Sequence, residues 1–237
     1  MRLAFALVLT AALALHAPAD AKKYKKPVIK TSDILQANNL TPFLPPALTP
    51  ENTWDLDLSD GGRVVIQLRP DRAPKMVERI KTLTKQGFYN GLDFHRVIDG
   101  FMAQGGDPKG TGEGGSTLPD LPSEFNDLPH VRGAVAAARA ADENSANSQF
   151  YIMFMPNLKL DKHYTVFGRV VSGMQYADAI QRGEPPASPT KIVRAVMGDD
   201  PAASTPPPAL PAAPAVQAPA TLPSGPLTPP ASSKPKN

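Results

Sequence analysis

Residues 94–107, Phe94-His95-Arg96-Val97-Ile98-Asp99-Gly100-Phe101-Met102-Ala103-Gln104-Gly105-Gly106-Asp107, decide how this chain is read. Two apolar runs, Phe94 to Ile98 and Phe101 to Ala103, flank the turn pair Asp99-Gly100, which signals two strands joined at a corner. Period-two alternation puts Phe94, Arg96 and Ile98 on one side of the first strand, and Met102 with Gln104 on one side of the second. An Arg on an apolar face ordinarily means an ion pair or an exposed edge. With Phe101, Met102 and Gln104 as neighbours, Arg96 instead describes an apolar pocket with an amide and a guanidinium at its wall. A second half follows at Ser148 to Ile152, where alternation sends Gln149 and Tyr151 to one face and Phe150 and Ile152 to the other.

Around this centre the chain divides by composition. Of its 28 prolines, 12 fall in residues 201–237, too dense for a packed domain. The net charge of +3 conceals an uneven distribution: residues 22–30 carry five Lys and no acid, whereas residues 31–200 carry 17 basic against 21 acidic side chains. A mildly acidic body argues against a nucleic-acid module, which concentrates basic charge on the domain itself. There is no Cys, which excludes thiol catalysis and thiolate metal sites and suits an oxidising compartment.

Residues 1–21 have a basic start at Arg2, an apolar run from Leu3 to Leu15 and an Ala19-Asp20-Ala21 ending, the pattern of a cleaved secretory signal peptide. The sequence therefore predicts an exported, periplasmic or similarly placed protein with no stable membrane insertion once the signal is removed. Residues 22–51 form a basic, Pro-containing extension that approaches the domain irregularly, with Phe43 and Leu44 as candidates to pack along its side. The folded domain is expected over 52–198. Beyond it, 199–237 read as a disordered Pro/Ala-rich tail that cannot bury enough surface to offset ordering entropy.

Within 52–198, Trp54 to Leu58 and Arg63 to Leu68 predict a hairpin. Pro74 with Met76, Val77, Ile80 and Leu83 predicts an amphipathic helix over about 74–86 that stops at Gly87. Strands are expected at 133–138, 148–153, 166–171 and 192–197, and a second helix opens at Ser172-Gly173 and runs to Gly183. Many strands, two helices and no β-α alternation predict a mainly β protein, a closed antiparallel barrel. Residues 105–116 hold six glycines and a Pro but lack the Gly-Lys-Ser/Thr ending of a phosphate loop, so they are read as the rim of a groove.

Five stretches in order resemble the cyclophilins: FHRVIDGFMAQGGD at 94–107, GTGEGG at 110–115, GAVAAARA at 133–140, NSANSQFYI at 144–152 and YTVFGRVVSGM at 164–174. The resemblance implies an eight-stranded barrel capped by two α-helices and a peptidyl-prolyl cis-trans isomerase acting on proline-containing polypeptides during the folding of exported proteins. A monomer without cofactor, metal or nucleic-acid partner is expected. By the resemblance Arg96 donates to the proline nitrogen, Gln104 supports Arg96 and the substrate backbone, and Phe101, Met102, Tyr151 and Leu160 line the proline pocket. Ala138, Arg139 and Ala140 correspond to the strand that pairs with the peptide, with Gln149 beside it. Tyr164 aligns with a pocket His of many members and His163 adjoins it, so either ring could enter the pocket. Two departures stand out: Tyr151 where Phe is frequent, adding a hydroxyl that must find a partner, and Asn157-Leu158-Lys159 where many members carry a Trp. Of the remaining histidines, His16 lies in the signal-like segment, and His95 and His130 are read as structural because neither sits in a metal-ligand spacing. The competing reading is a non-catalytic peptide-binding or chaperone module using the same groove.

Overall fold

The computed structural model describes residues 45–207. The signal-like segment, most of the extension including Phe43 and Leu44, and the tail beyond residue 207 lie outside the described residues. From Pro46 onward the described residues belong to one compact unit.

Eight strands form, some alternating apolar with polar residues and two, β5 and β6, apolar and buried throughout: β1 Thr53–Leu58, β2 Arg63–Leu68, β3 Arg96–Ile98, β4 Met102–Gly105, β5 Ala134–Ala137, β6 Phe150–Met153, β7 Val166–Ser172 and β8 Ile192–Met197. They form one antiparallel sheet in the order β3-β4-β6-β5-β7-β2-β1-β8. Its edges are β3 and β8, and no ladder joins them among the described residues. The sheet is thus an open half-barrel and not the closed barrel expected from the sequence. Across the gap the described residues make isolated bridges, Asp93 to Lys191 and Val97 to Gly183, and a few backbone hydrogen bonds between residues 91–94 and 190–192. Two features prevent a full seam: β3 is three residues long, and the facing segment contains Pro185, Pro186 and Pro189, which have no N–H to donate to a ladder.

Helix α1, Pro74–Lys85, buries Met76, Val77, Ile80 and Leu83 as its periodicity requires. Its N-cap, Ala73, offers no side-chain acceptor. The distant Glu124 carboxylate takes that role, accepting the backbone N–H groups of Lys75 and Met76 at 2.9 Å each. Helix α2 is shorter than expected, Met174–Ala179, because Ile180 already leaves the helical region at its C-cap. The chain then turns away, Gln181 N–H donating to Thr190 Oγ1. Inside the sheet, Trp54 packs edge-on against Tyr89 and Phe150 at centroid distances of 5.2 and 4.9 Å.

The first residues of the expected tail are folded. Pro201–Ser204 form a 3-10 turn capped by the Asp200 side chain. Two arginines tie this segment to the sheet: Arg63 donates to the carbonyl oxygens of Ala203 and Thr205, and Arg194 to Thr205 Oγ1. Both guanidiniums are themselves held by the fully buried carboxylate of Asp57, at 2.6 Å from Arg63 Nε and 2.7 Å from Arg194 Nε.

Candidate functional site

The turn at Asp99-Gly100 forms as read. Gly100 has φ +66°, which a side chain rarely adopts, and the Phe101 N–H returns to the Ile98 carbonyl at 3.1 Å. The resulting register fixes the site. Arg96 lies opposite Gln104, Gln104 opposite Tyr151 and Tyr151 opposite Ala136, so one row of side chains crosses four strands on one face. Cross-strand neighbours stand about 4.5–5.5 Å apart at Cβ, close enough to build one wall. Met102, Tyr151, Met153, Ala134, Ala136 and Val166 form a small apolar cluster on that face, separate from the main core.

Alternation holds for Met102 and Gln104 and for Gln149 and Tyr151, but fails for Phe94. Phe94 and Val97 both enter the main core. The residues before Arg96 are not strand, so Phe94 does not share the Arg96 face as period two implies.

A cavity of about 260 Å³ is lined by Arg96, Phe101, Met102, Gln104, Ala138, Arg139, Tyr151, Leu160 and Tyr164. A second, of about 480 Å³, shares Gln104, Ala138 and Arg139 with the first and adds Ala140, Gln149, Asn147 and the loop Gly112 to Ser116. Every site residue named from the sequence therefore lines one of two adjoining cavities. Of the two rings at 163–164, Tyr164 enters. The Arg139 guanidinium lies 4.6 Å over its centroid and donates to the His163 carbonyl at 3.0 Å, while the His163 side chain is exposed. No hydrogen bond among the described residues uses the backbone of Arg139, which is thus free to pair with an extended peptide.

Arg96 is anchored at one end. Its Nε donates to Glu184 Oε2 at 2.7 Å, and its Nη groups have no partner among the described residues. The support expected from Gln104 is not the arrangement seen: Gln104 Nε2 donates to Gln149 Oε1 at 2.8 Å. Gln149 in turn donates to the carbonyl oxygens of Gly112 and Gly114 at 2.9 and 2.7 Å, coupling the pocket amides to the glycine-rich loop.

That loop winds around its own acid. The Asp107 carboxylate, almost fully buried, accepts N–H groups from Lys109, Thr111, Gly112 and Gly114 at 2.6–3.2 Å. Burial pushes the carboxyl pKa up, but these four donors outweigh it and the net shift is downward. The donors that could cradle a phosphate are thereby spent, and a side chain at Gly114 would meet Asp107 Oδ1 at 1.9 Å.

Sequence reasoning missed three contributors. Glu184 lies 88 residues from Arg96 and carries no local signal. His130 and Asp161 supply the partner that the Tyr151 hydroxyl requires: His130 Nε2 is 3.1 Å from that hydroxyl, and its Nδ1 is 2.8 Å from Asp161 Oδ1. The extra hydroxyl at 151 was the available clue.

The Arg96–Glu184 pair is about half exposed on both sides. Exposed pairs are worth ~0.2–1 kcal/mol, so Glu184→Gln should cost no more than that in stability and, by loosening the Arg96 guanidinium, should lower kcat/KM for an Ala-Pro peptide by no more than about fivefold. The difference from the unmodified protein should shrink at high salt; kinetics at two ionic strengths check this.

Residues 53–197 match the family model described as cyclophilin-type peptidyl-prolyl cis-trans isomerase/CLD. A probable peptidyl-prolyl cis-trans isomerase of Brucella suis biovar 1 (strain 1330) is 49% identical over 170 residues, covering 65% of this chain and 86% of the relative. Peptidyl-prolyl cis-trans isomerase B of Bacillus subtilis (strain 168) is 41% identical over 128 residues, covering 54% and 89%. Among solved structures, cyclophilin AquaCyp293 from Hirschia baltica matches with TM-score 0.59 and 30% identity over 63% of this chain and 75% of that one. A Cryptosporidium parvum cyclophilin-type isomerase crystallised in the presence of the dipeptide Ala-Pro matches with TM-score 0.58 and 26% identity, covering 61% and 98%. Strand order, groove and family match converge, and the chain belongs to the cyclophilin-type peptidyl-prolyl cis-trans isomerases.

Proposed function

We propose that the domain accelerates rotation about X-Pro bonds in exported polypeptides, with Arg96 as the catalytic residue. The observation that carries this is the guanidinium at the wall of the 260 Å³ cavity, beside Phe101, Met102 and Leu160, its Nη groups without a partner among the described residues. Rotation about an X-Pro bond breaks amide resonance and is slow unaided, taking tens to hundreds of seconds. In the twisted transition state the proline nitrogen regains a lone pair, to which an Nη–H can donate. The planar ground state has no such acceptor, so the contact stabilises the transition state selectively. Phe101, Met102, Tyr151, Leu160 and Tyr164 hold the pyrrolidine ring while the rest of the peptide turns, and Gln104 and the backbone at 138–140 hold the peptide. The step needs no nucleophile, proton relay or metal.

The export part of this reading rests on residues 1–21, with cleavage after Ala21 and Lys22 as the mature terminus. Among the described residues no helix is long and apolar enough to cross a membrane. Mass spectrometry of envelope fractions should find a chain beginning at Lys22; full-length protein confined to the cytoplasm would end the export claim. The isomerase reading itself is tested by following cis-trans exchange of an Ala-Pro peptide with and without the protein.

A further inference from the structure

We propose that His130, backed by Asp161, is a positioning residue for the isomerase reaction: it holds the Tyr151 hydroxyl behind the wall of the proline cavity, so that Tyr151 presents only its ring to substrate. The proposal rests on the reading of that cavity as the proline site.

The geometry assigns each donor. Asp161 Oδ1 can only accept, and it receives both the His130 backbone N–H and Nδ1–H, at 2.8 Å each. That fixes the imidazole with its lone pair at Nε2. The Tyr151 hydroxyl, 3.1 Å away, therefore donates to it. The ring's ionisation state agrees: burial lowers the His130 pKa against the opposing pull of Asp161, and burial raises that of the Tyr151 phenol. His130 is fully buried and does not line the cavity, whereas Tyr151 does. The imidazole and phenol planes lie within 19° of each other at 6.2 Å, and Tyr164 meets both edge-on, so the same contact also sets the ring against which Tyr164 packs.

Without His130 the hydroxyl has two outcomes, both adverse. It remains buried and unpaired, or it turns toward the cavity and brings water to a surface that must be apolar for the pyrrolidine ring. Either weakens proline binding in ground and transition states alike, which raises KM more than it lowers kcat.

The test is a double-mutant cycle on the full chain, read as kcat, KM and Ala-Pro peptide affinity, with thermal unfolding as a check on folding. Tyr151→Phe alone, which keeps the ring that lines the cavity and removes its hydroxyl, sets the reference level of the cycle. His130→Phe should lower kcat/KM about tenfold (~1.4 kcal/mol), mainly through KM, by orphaning the hydroxyl. His130→Gln, whose amide oxygen can still accept, should recover most of that loss. The decisive variant is His130→Phe with Tyr151→Phe, which should return to the level of Tyr151→Phe alone. A double variant as impaired as His130→Phe would show that His130 acts through general packing, and unchanged kinetics in His130→Phe would show that it has no role; either overturns the proposal. If His130→Phe does not fold, His130→Gln and the double variant still decide: Gln recovery and a rescued double support it, and their failure rejects it. Absence of isomerase activity in the unmodified protein would refute the cavity's catalytic reading, while the affinity series would still test His130.

Discussion

Arg96→Ala should lower kcat/KM for X-Pro isomerisation by roughly 10²–10³, the ~2.7–4 kcal/mol typical of removing one preorganised transition-state donor. Thermal stability should hardly change, because Arg96 is 43% exposed and its partner among the described residues, Glu184, is half exposed and returns to water. The loss should appear in kcat more than in KM, since the proline nitrogen offers its lone pair only when the bond is twisted. Arg96→Lys should recover little: a Lys at this edge strand could not keep Nε on Glu184 while extending a planar pair of donors into the cavity. Stopped kinetics on an Ala-Pro peptide, with calorimetry on the same samples, check both halves. A folded Arg96→Ala variant with full activity would remove Arg96 from the mechanism.

The largest stability effect is expected far from the groove. Asp57 is fully buried and pairs two arginines, Arg63 and Arg194, which in turn hold the segment ending in Thr205 and Pro206. Asp57→Ala removes the carboxylate that both guanidiniums share, leaving them the carbonyl and hydroxyl oxygens of residues 203–206, with Asp55 at 3.5 Å from Arg63 as the remaining acid. Breaking a buried pair from one side costs about 3–5 kcal/mol. Urea unfolding should show that loss as a lower midpoint at unchanged slope, and limited proteolysis should cut near residues 201–206 sooner. A change below about 1 kcal/mol would mean that water or Asp55 compensates and that the pair is not a staple.

These two residues also show what a sequence discloses and what it withholds. Arg96 was legible because its setting is local: a ten-residue hairpin fixes its face, and Phe101, Met102 and Gln104 follow in the same register. The shared face of Gln149 and Tyr151 was legible for the same reason, since strict alternation in Ser148 to Ile152 separates them from Phe150 and Ile152; that their strand pairs with β4 was not. What was hidden depends on contacts across long stretches of chain. Glu184 meets Arg96 across 88 residues and Arg194 meets Asp57 across 137, and no periodicity encodes either. Whether the edges of the sheet join is a relation between β3 and β8, so the half-barrel could not be told from a barrel by strand count. Phe94 misled because period two was extended into residues whose backbone is not strand. The tail boundary misled because composition turns Pro-rich at 201, whereas two arginines from the sheet fasten the chain through Pro206.

The glycine-rich loop carries a similar lesson in reverse. Its composition fits a phosphate cradle, yet the anion it wraps is Asp107 of its own strand end. Its exposed side then becomes a wall of the larger cavity, joined to Gln104 through Gln149.

The central claim, that the groove catalyses rotation and does not merely bind proline, is tested most directly by NMR exchange spectroscopy on an Ala-Pro peptide with a substoichiometric amount of the protein. Unaided exchange takes tens to hundreds of seconds. Cross-peaks between the cis and trans signals at sub-second mixing times, lost with Arg96→Ala, are the result expected. A peptide whose shifts move on binding while its cis and trans signals stay in slow exchange would contradict the account and leave a peptide-binding module in its place.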